Sequence, residues 1–288
     1  MKDRLTELGF TAGWRLVRAL PLPIARSLFN AAADRAYRKN GPATQRLRKN
    51  LAQVVGEDMP DTLVRDGLRS YARYWLEAFR LPSQTRQQFL DGFGISPEHY
   101  DYIKSGVTDG TGVILVLPHL ANWDAAAAWV VSNGWRMVTV AERLKPEGVY
   151  RQFLEYREKL GMEVVPLSGG ERNPLDVLAE RLGQSWIVCL LGDRDLSRRG
   201  VEVSFFGGTT RMPAGPAILA IRTGAPLYAV DLSFTPTQTY AVLRPVVPPT
   251  EGPLDERVKA TTQLLADAYA AGIAEHPQDW HMLQKLWL

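Results

Sequence analysis

The run Val113-Ile-Leu-Val-Leu117 is apolar at every position. It opens a stretch, from about residue 110 onward, in which short apolar runs alternate with helical segments. A strand without polar alternation is one buried on both faces, as in a parallel sheet covered by helices. Further strands are expected at 137–141, 163–166, 186–191, 201–206, 227–234 and 240–247. The spacing predicts helices near 123–132, 146–160, 174–182 and 214–223, and a last one over about 254–275. Such alternation predicts an α/β chain with a central, largely parallel β-sheet flanked by helices, whose ligands bind at the carboxyl ends of the strands.

The first hundred residues read differently. Leu5, Leu8, Ala12, Leu16 and Leu20 recur at helical spacing with Arg4, Arg15 and Arg18 between them. Pro21 and Pro23 close that element before a second helical stretch through Arg38. Residues 1–50 hold 11 Lys and Arg against three acids, a net of +8 in a chain whose total is +3, so the remainder carries −5. A basic end on an acidic body suits an anionic membrane surface or a nucleic acid. Nucleic acid is disfavoured, because the arginines are interleaved with Leu, Phe and Trp on amphipathic helices. Such a helix either lies in a lipid interface or packs on its own domain. No secretory signal is expected from the charged start, and nowhere do about 18 apolar residues run together, as a spanning helix requires. If the protein meets a membrane, it lies on it. With no repeat and no long linker, residues 1–288 are expected to form one domain, with 1–108 helical and membrane-facing and 109–288 the α/β catalytic core.

The first buried strand runs straight into Pro118-His119-Leu-Ala-Asn122-Trp-Asp124. Asn122 can cap the following helix, which puts Asp124 in its first turn, able to fold back toward the His119 ring. A carboxylate on one ring nitrogen fixes the tautomer and leaves the other nitrogen as a proton acceptor, an arrangement that deprotonates alcohols. A structural histidine beside a capping acid would be written with the same letters; the strand-end position favours chemistry. A second polar cluster, Gly192-Asp193-Arg194-Asp195 with Arg198 and Arg199, follows the strand at 186–191. If the two strands are parallel neighbours, Asp193 is the natural second carboxylate and an arginine can hold phosphate. A surface turn of paired charges is the plain alternative. Downstream, Phe205 and Phe206 offer an apolar wall, Gly207 and Gly208 allow close approach of a ligand, and Arg211 precedes a helix opened by prolines.

There is no Gly-x-Ser-x-Gly elbow, and the single cysteine, Cys189, sits in an apolar run with no adjacent base. Direct attack by an acceptor is therefore favoured over an acyl-enzyme. No histidine pair has a zinc-ligand spacing, so no metal is invoked.

Taken together these residues resemble the bacterial lauroyl/myristoyl lipid acyltransferases of the lysophospholipid acyltransferase superfamily, above all the actinobacterial members that acylate phosphatidylinositol mannoside. The likeness rests on Leu117-Pro-His119-x-x-Asn122-Trp-Asp124, Val140-Ala-Glu142, Tyr156-Arg157, Gly192-Asp-Arg-Asp195, Phe205-Phe-Gly207, Arg211-Met-Pro213 and Asp279-Trp-His-Met-Leu283, with Ser70-Tyr-x-Arg-Tyr-Trp75 in the helical part. The resemblance implies a glycerol-3-phosphate acyltransferase-like fold. It implies transfer from acyl-coenzyme A, palmitoyl by preference, to the 6-hydroxyl of a mannose on phosphatidylinositol mannoside. It also implies a peripheral place on the cytoplasmic face of the cell membrane and no permanently bound cofactor. His119 would be the base and Asp193 its partner, with Glu142 and Arg157 polar positions of the active-site groove. At 193 this chain departs by one methylene from the pattern of the mannoside-acylating members it resembles, in which a glutamate is expected. Two other readings of the residues stay open: a hydrolase using the same base on water, and a non-catalytic lipid-binding protein.

Overall fold

The computed structural model describes residues 13, 14, 16–141, 147–195 and 200–288. Three long helices come first: α1 (Leu22–Lys39), α2 (Pro42–Val55) and α3 (Asp61–Arg80). Proline in the first turn of α1 and α2 sits where a missing N–H costs nothing. Of the amphipathic stretch before α1, residues 5, 8 and 12 and Arg4 and Arg15 lie outside the described residues. The described part is docked on the chain itself: Trp14 is buried, and its indole N–H donates to the Phe79 carbonyl at 2.7 Å. Arg80 returns two bonds to the carbonyls of Val17 and Leu20.

The remaining elements are α4 (Arg86–Asp91), β1 (Phe93–Ile95), α5 (Pro97–Thr108), β2 (Val113–Leu117), α6 (Trp123–Ser132), β3 (Met137–Ala141), α7 (Glu147–Lys159), β4 (Met162–Pro166), α8 (Pro174–Leu182), β5 (Ile187–Leu191), β6 (Val201–Phe205), β7 (Gly208–Met212), α9 (Gly215–Thr223), β8 (Leu227–Phe234), β9 (Thr239–Val246) and α10 (Leu254–Glu275). Seven strands form one sheet in the order β1-β9-β8-β2-β5-β3-β4. β8, β2, β5, β3 and β4 run parallel; β9 is antiparallel to β8, and β1 follows β9. The fold is thus α/β with a mostly parallel sheet between helices, as the apolar runs predict. β2 is buried at all five positions, and β5 lies beside it.

Two expectations change. Residues 201–206 do not enter the main sheet; β6 pairs with β7 as a separate antiparallel hairpin. Its two-residue turn is Phe206-Gly207, with φ of 46° and 74°, so both residues take the left-handed conformation that matches hairpin twist. The double glycine therefore marks a turn. Within the expected helical part, β1 is an edge strand beside β9, and three residues are too few to show a period of two.

Gly192 follows directly on β5, and a Cβ there would run into the Tyr269 hydroxyl of α10 and a methyl of Val116. Only glycine lets the chain pass this close before it delivers Asp193.

Candidate active site

β2 and β5 pair in register with Leu117 opposite Leu191, and the Gly192 N–H extends the ladder to the Leu117 carbonyl at 2.9 Å. His119 and Asp193 each stand two residues beyond that last pair. Equal offsets on neighbouring parallel strands bring them side by side: His119 Nδ1 lies 2.5 Å from Asp193 Oδ1, and the His119 backbone N–H donates to Oδ2 at 3.0 Å. The Trp280 indole N–H is a third donor, also to Oδ2 at 3.0 Å.

Asp193 is completely buried. Burial raises its carboxyl, but the His119 charge, its two hydrogen bonds and the Trp280 donor outweigh this, and the group is held below the ordinary aspartate value. An ionised carboxylate only accepts, so Nδ1 carries the proton that faces it, and whenever the ring is neutral Nε2 is its acceptor nitrogen. The ring packs edge-on to Trp123 at 5.3 Å and lines a cavity of about 450 Å³. The cavity wall is apolar, with Leu175, Leu178, Leu190 and Leu191, and Arg194 and Asp195 stand among its polar residues. Through Val140, Leu190 and Leu191 it adjoins a narrower space under α6 lined by Asp124, Arg157 and Cys189. Burial pushes the Cys189 thiol up to about 12, which leaves it a poor nucleophile.

Asp124 does not reach the histidine. Asn122 caps α6 through Ala125 N–H, as expected, but the first turn carries Asp124 away from the ring. Its buried carboxylate instead accepts from Arg157 Nε at 2.9 Å and from the Tyr74 hydroxyl at 3.0 Å. Burial alone would lower the Arg157 guanidinium; Asp124 more than compensates and holds it above its usual value. Asn122 donates through Nδ2 to Glu77 at 2.9 Å and lines a separate cleft beside α3, so its side chain shapes the loop.

The hairpin residues also stand apart from the His119 cavity. Phe205 is buried against Trp280 and Trp287, and Phe206 packs on Phe205. Gly207 is the hairpin turn, and Arg211 pairs with Glu202 across the strands at 2.6 Å. Glu142, Arg198 and Arg199 lie outside the described residues. Among the described residues no group of three or more His, Cys, Asp or Glu side chains is disposed to hold a metal.

The bacterial lipid A biosynthesis acyltransferase family matches residues 5–288. The chain belongs to this acyltransferase family. It is 50% identical to a phosphatidylinositol mannoside acyltransferase of Mycolicibacterium smegmatis over 288 residues, 99% of this chain and 92% of the relative. A protein of Mycobacterium tuberculosis with the same name is 46% identical over 286 residues, 98% of this chain and 89% of the relative.

Within this family member, sequence reasoning missed Trp280, Tyr74 and Glu77 as groups that hold the site. Each sits in or beside a motif of the resemblance, but no local spacing brings residue 280 to residue 193.

Because Asp193 is held below its unfolded value, the stability it contributes is present above about pH 4 and is lost as pH falls through its folded value. Asparagine at 193 cannot titrate. The stability gap between wild type and Asp193→Asn, measured by urea unfolding, is expected to narrow from about pH 7 to about pH 3. A gap that widens on acidification would contradict the ionised pair.

Proposed function

We propose that this protein transfers a fatty acyl group, palmitoyl by preference, from acyl-coenzyme A to the 6-hydroxyl of a mannose on phosphatidylinositol mannoside, with His119 as the general base. The observation that carries the reading is the His119 ring, tied through Nδ1 to a buried carboxylate while the residue lines a largely apolar cavity. Nε2 takes the proton of the sugar hydroxyl as its oxygen attacks the thioester carbonyl. The C–S bond then breaks, and the imidazolium returns the proton to the leaving thiolate. Asp193 steadies the imidazolium meanwhile. The names of the relatives support the acceptor, and the leucine-rich cavity wall supports a long acyl donor. Arg194, at the same cavity, suits the donor's phosphates, and Arg157, braced by Asp124, suits the acceptor's polar head.

No described helix is long and apolar enough to cross a membrane. A peripheral site on the cytoplasmic leaflet is supported by α1, whose Leu22, Ile24 and Leu28 are exposed beside Arg26, Arg35, Arg38 and Lys39, with Leu16 exposed just before it. Apolar side chains flanked by cations suit an anionic lipid surface.

His119→Ala, with circular dichroism unchanged, is expected to lose about 10²–10⁴ of the acceptor-dependent transfer rate from labelled palmitoyl-coenzyme A. Turnover near wild type would remove His119 from the mechanism, and free fatty acid formed equally with and without glycolipid would identify a hydrolase. In sedimentation with vesicles, the protein should bind those containing phosphatidylinositol and not pure phosphatidylcholine, and 0.5 M salt should release about half or more. Equal binding to both would refute the cationic face.

A further inference from the structure

We infer that Trp280 is a positioning residue for the base, and that the C-terminal segment 279–281 is part of the active-site scaffold, holding both Asp193 and the turn that carries His119. The inference rests on His119 acting as the base.

Asp193 works only if Oδ1 faces the ring. A carboxylate turns about its Cβ–Cγ bond unless its other oxygen is held, and here Oδ2 receives two donors, His119 N–H and the Trp280 indole. The first belongs to the residue being positioned. Trp280 is therefore the independent anchor. It is fully buried, and Phe205 packs edge-on against its ring at 6.1 Å.

The same segment grips the histidine's own turn. Leu120 and Trp280 form an antiparallel bridge, Ala121 N–H donates to the Asp279 carbonyl at 2.9 Å, and His281 N–H donates to the His119 carbonyl at 2.8 Å. Ala121 has φ of 43°, a left-handed conformation disfavoured for any residue with a Cβ, so the turn needs holding from outside. The segment is fixed in its turn. The Asp279 carboxylate accepts from the Ser70 hydroxyl of α3 at 2.7 Å and from Phe234 N–H of β8 at 2.9 Å. Ser70 has spent its one proton on Asp279, so His281 Nε2, 2.9 Å away, donates to the serine oxygen. Burial, and then the His119 charge, push His281 down to about 3, so it stays neutral and does not compete as a base. A chain of donors thus runs from α3 through the tail to the catalytic loop.

A shift in the pH profile separates positioning from packing. The titratable and charged groups around the His119–Asp193 pair among the described residues are His281 on the tail, Tyr269 on α10, and Arg194 and Asp195 at the cavity that His119 lines, the Asp195 carboxylate accepting from Gly200 N–H at 2.8 Å. Tyr269 is raised well above its ordinary value, chiefly by burial, so the acid limb of kcat/KM reports the His119–Asp193 pair. Removing the indole donor leaves more negative charge on Oδ1, which favours the imidazolium and moves that limb to higher pH.

The test compares Trp280→Phe with Trp287→Phe. Trp287 lies in the same tail and packs on Phe205, and its ring nitrogen is buried without a hydrogen-bond partner among the described residues, so it suffers the same ring truncation without touching Asp193. Trp280→Phe is expected to lower kcat about tenfold with KM for donor and acceptor within about twofold, and to move the acid limb upward, whereas Trp287→Phe leaves the limb in place. Replacing Trp280 with β-(3-benzothienyl)alanine exchanges only N–H for sulfur, preserves the packing, and should give the same kinetic loss and the same shift. Wild-type kcat and an unshifted limb in the sulfur analogue would overturn the proposal, as would identical behaviour of the two phenylalanine variants. A His119→Ala variant with near-normal turnover would instead overturn the general-base reading on which the inference rests, whatever residue 280 does.

Discussion

A carboxylate buried out of water is costly unless it is surrounded by donors, and the site is organised around meeting that demand for Asp193. Its three donors come from the histidine ring, the histidine backbone and a tryptophan 87 residues away. Register does the first part of the work. Because β2 and β5 are parallel neighbours paired Leu117 to Leu191, the same two-residue step off each strand delivers His119 and Asp193 to one point. Aspartate suffices for contact here, since the ring is reached at 2.5 Å. The space for Asp193 depends on glycine at 192, where the chain passes against Tyr269 and Val116.

The second acidic residue of the histidine motif does different work. Asp124 joins Tyr74 of α3 to Arg157 of α7 across the start of α6, so the motif supplies both the proposed base and a brace between three helices. Glu77 adds another link, accepting from Asn122 while also pairing with Arg73 at 2.7 Å. The helical part of the chain, whose α1 carries the exposed apolar and cationic side chains, is therefore hydrogen-bonded through Tyr74 and Glu77 to the segment that follows β2, and through Ser70 to the tail that grips that segment. Under the proposed function, this links the surface that meets lipid to the turn that reacts with it.

The sheet was legible because its strands are short, mostly apolar runs set between helical segments, and β2 is apolar throughout. Val113–Leu117, Met137–Ala141 and Leu227–Phe234 stand where their composition puts them. The proximity of His119 and Asp193 was legible too, since it needs only parallel neighbours and equal offsets. Other features depend on contacts that local pattern does not encode. Asp124 could have turned toward either the ring or Arg157, and the reach of the Arg157 side chain across to the start of α6 decides. Phe205-Phe-Gly-Gly reads equally as a ligand wall or a hairpin; the left-handed φ values of Phe206 and Gly207 make it a hairpin. Trp280 was visible as part of a terminal motif, but its partner is set by the path of the tail across the sheet's end.

The central claim is that Asp193 fixes the His119 proton on Nδ1 and leaves Nε2 bare for an incoming hydroxyl. The ¹⁵N spectrum of histidine-labelled protein at neutral pH tests it directly, with His119 assigned by its loss in His119→Gln. The account predicts a single neutral tautomer with a protonated Nδ1, a strongly deshielded proton on it, and an unprotonated Nε2. A proton on Nε2, or two tautomers in rapid exchange, would contradict it.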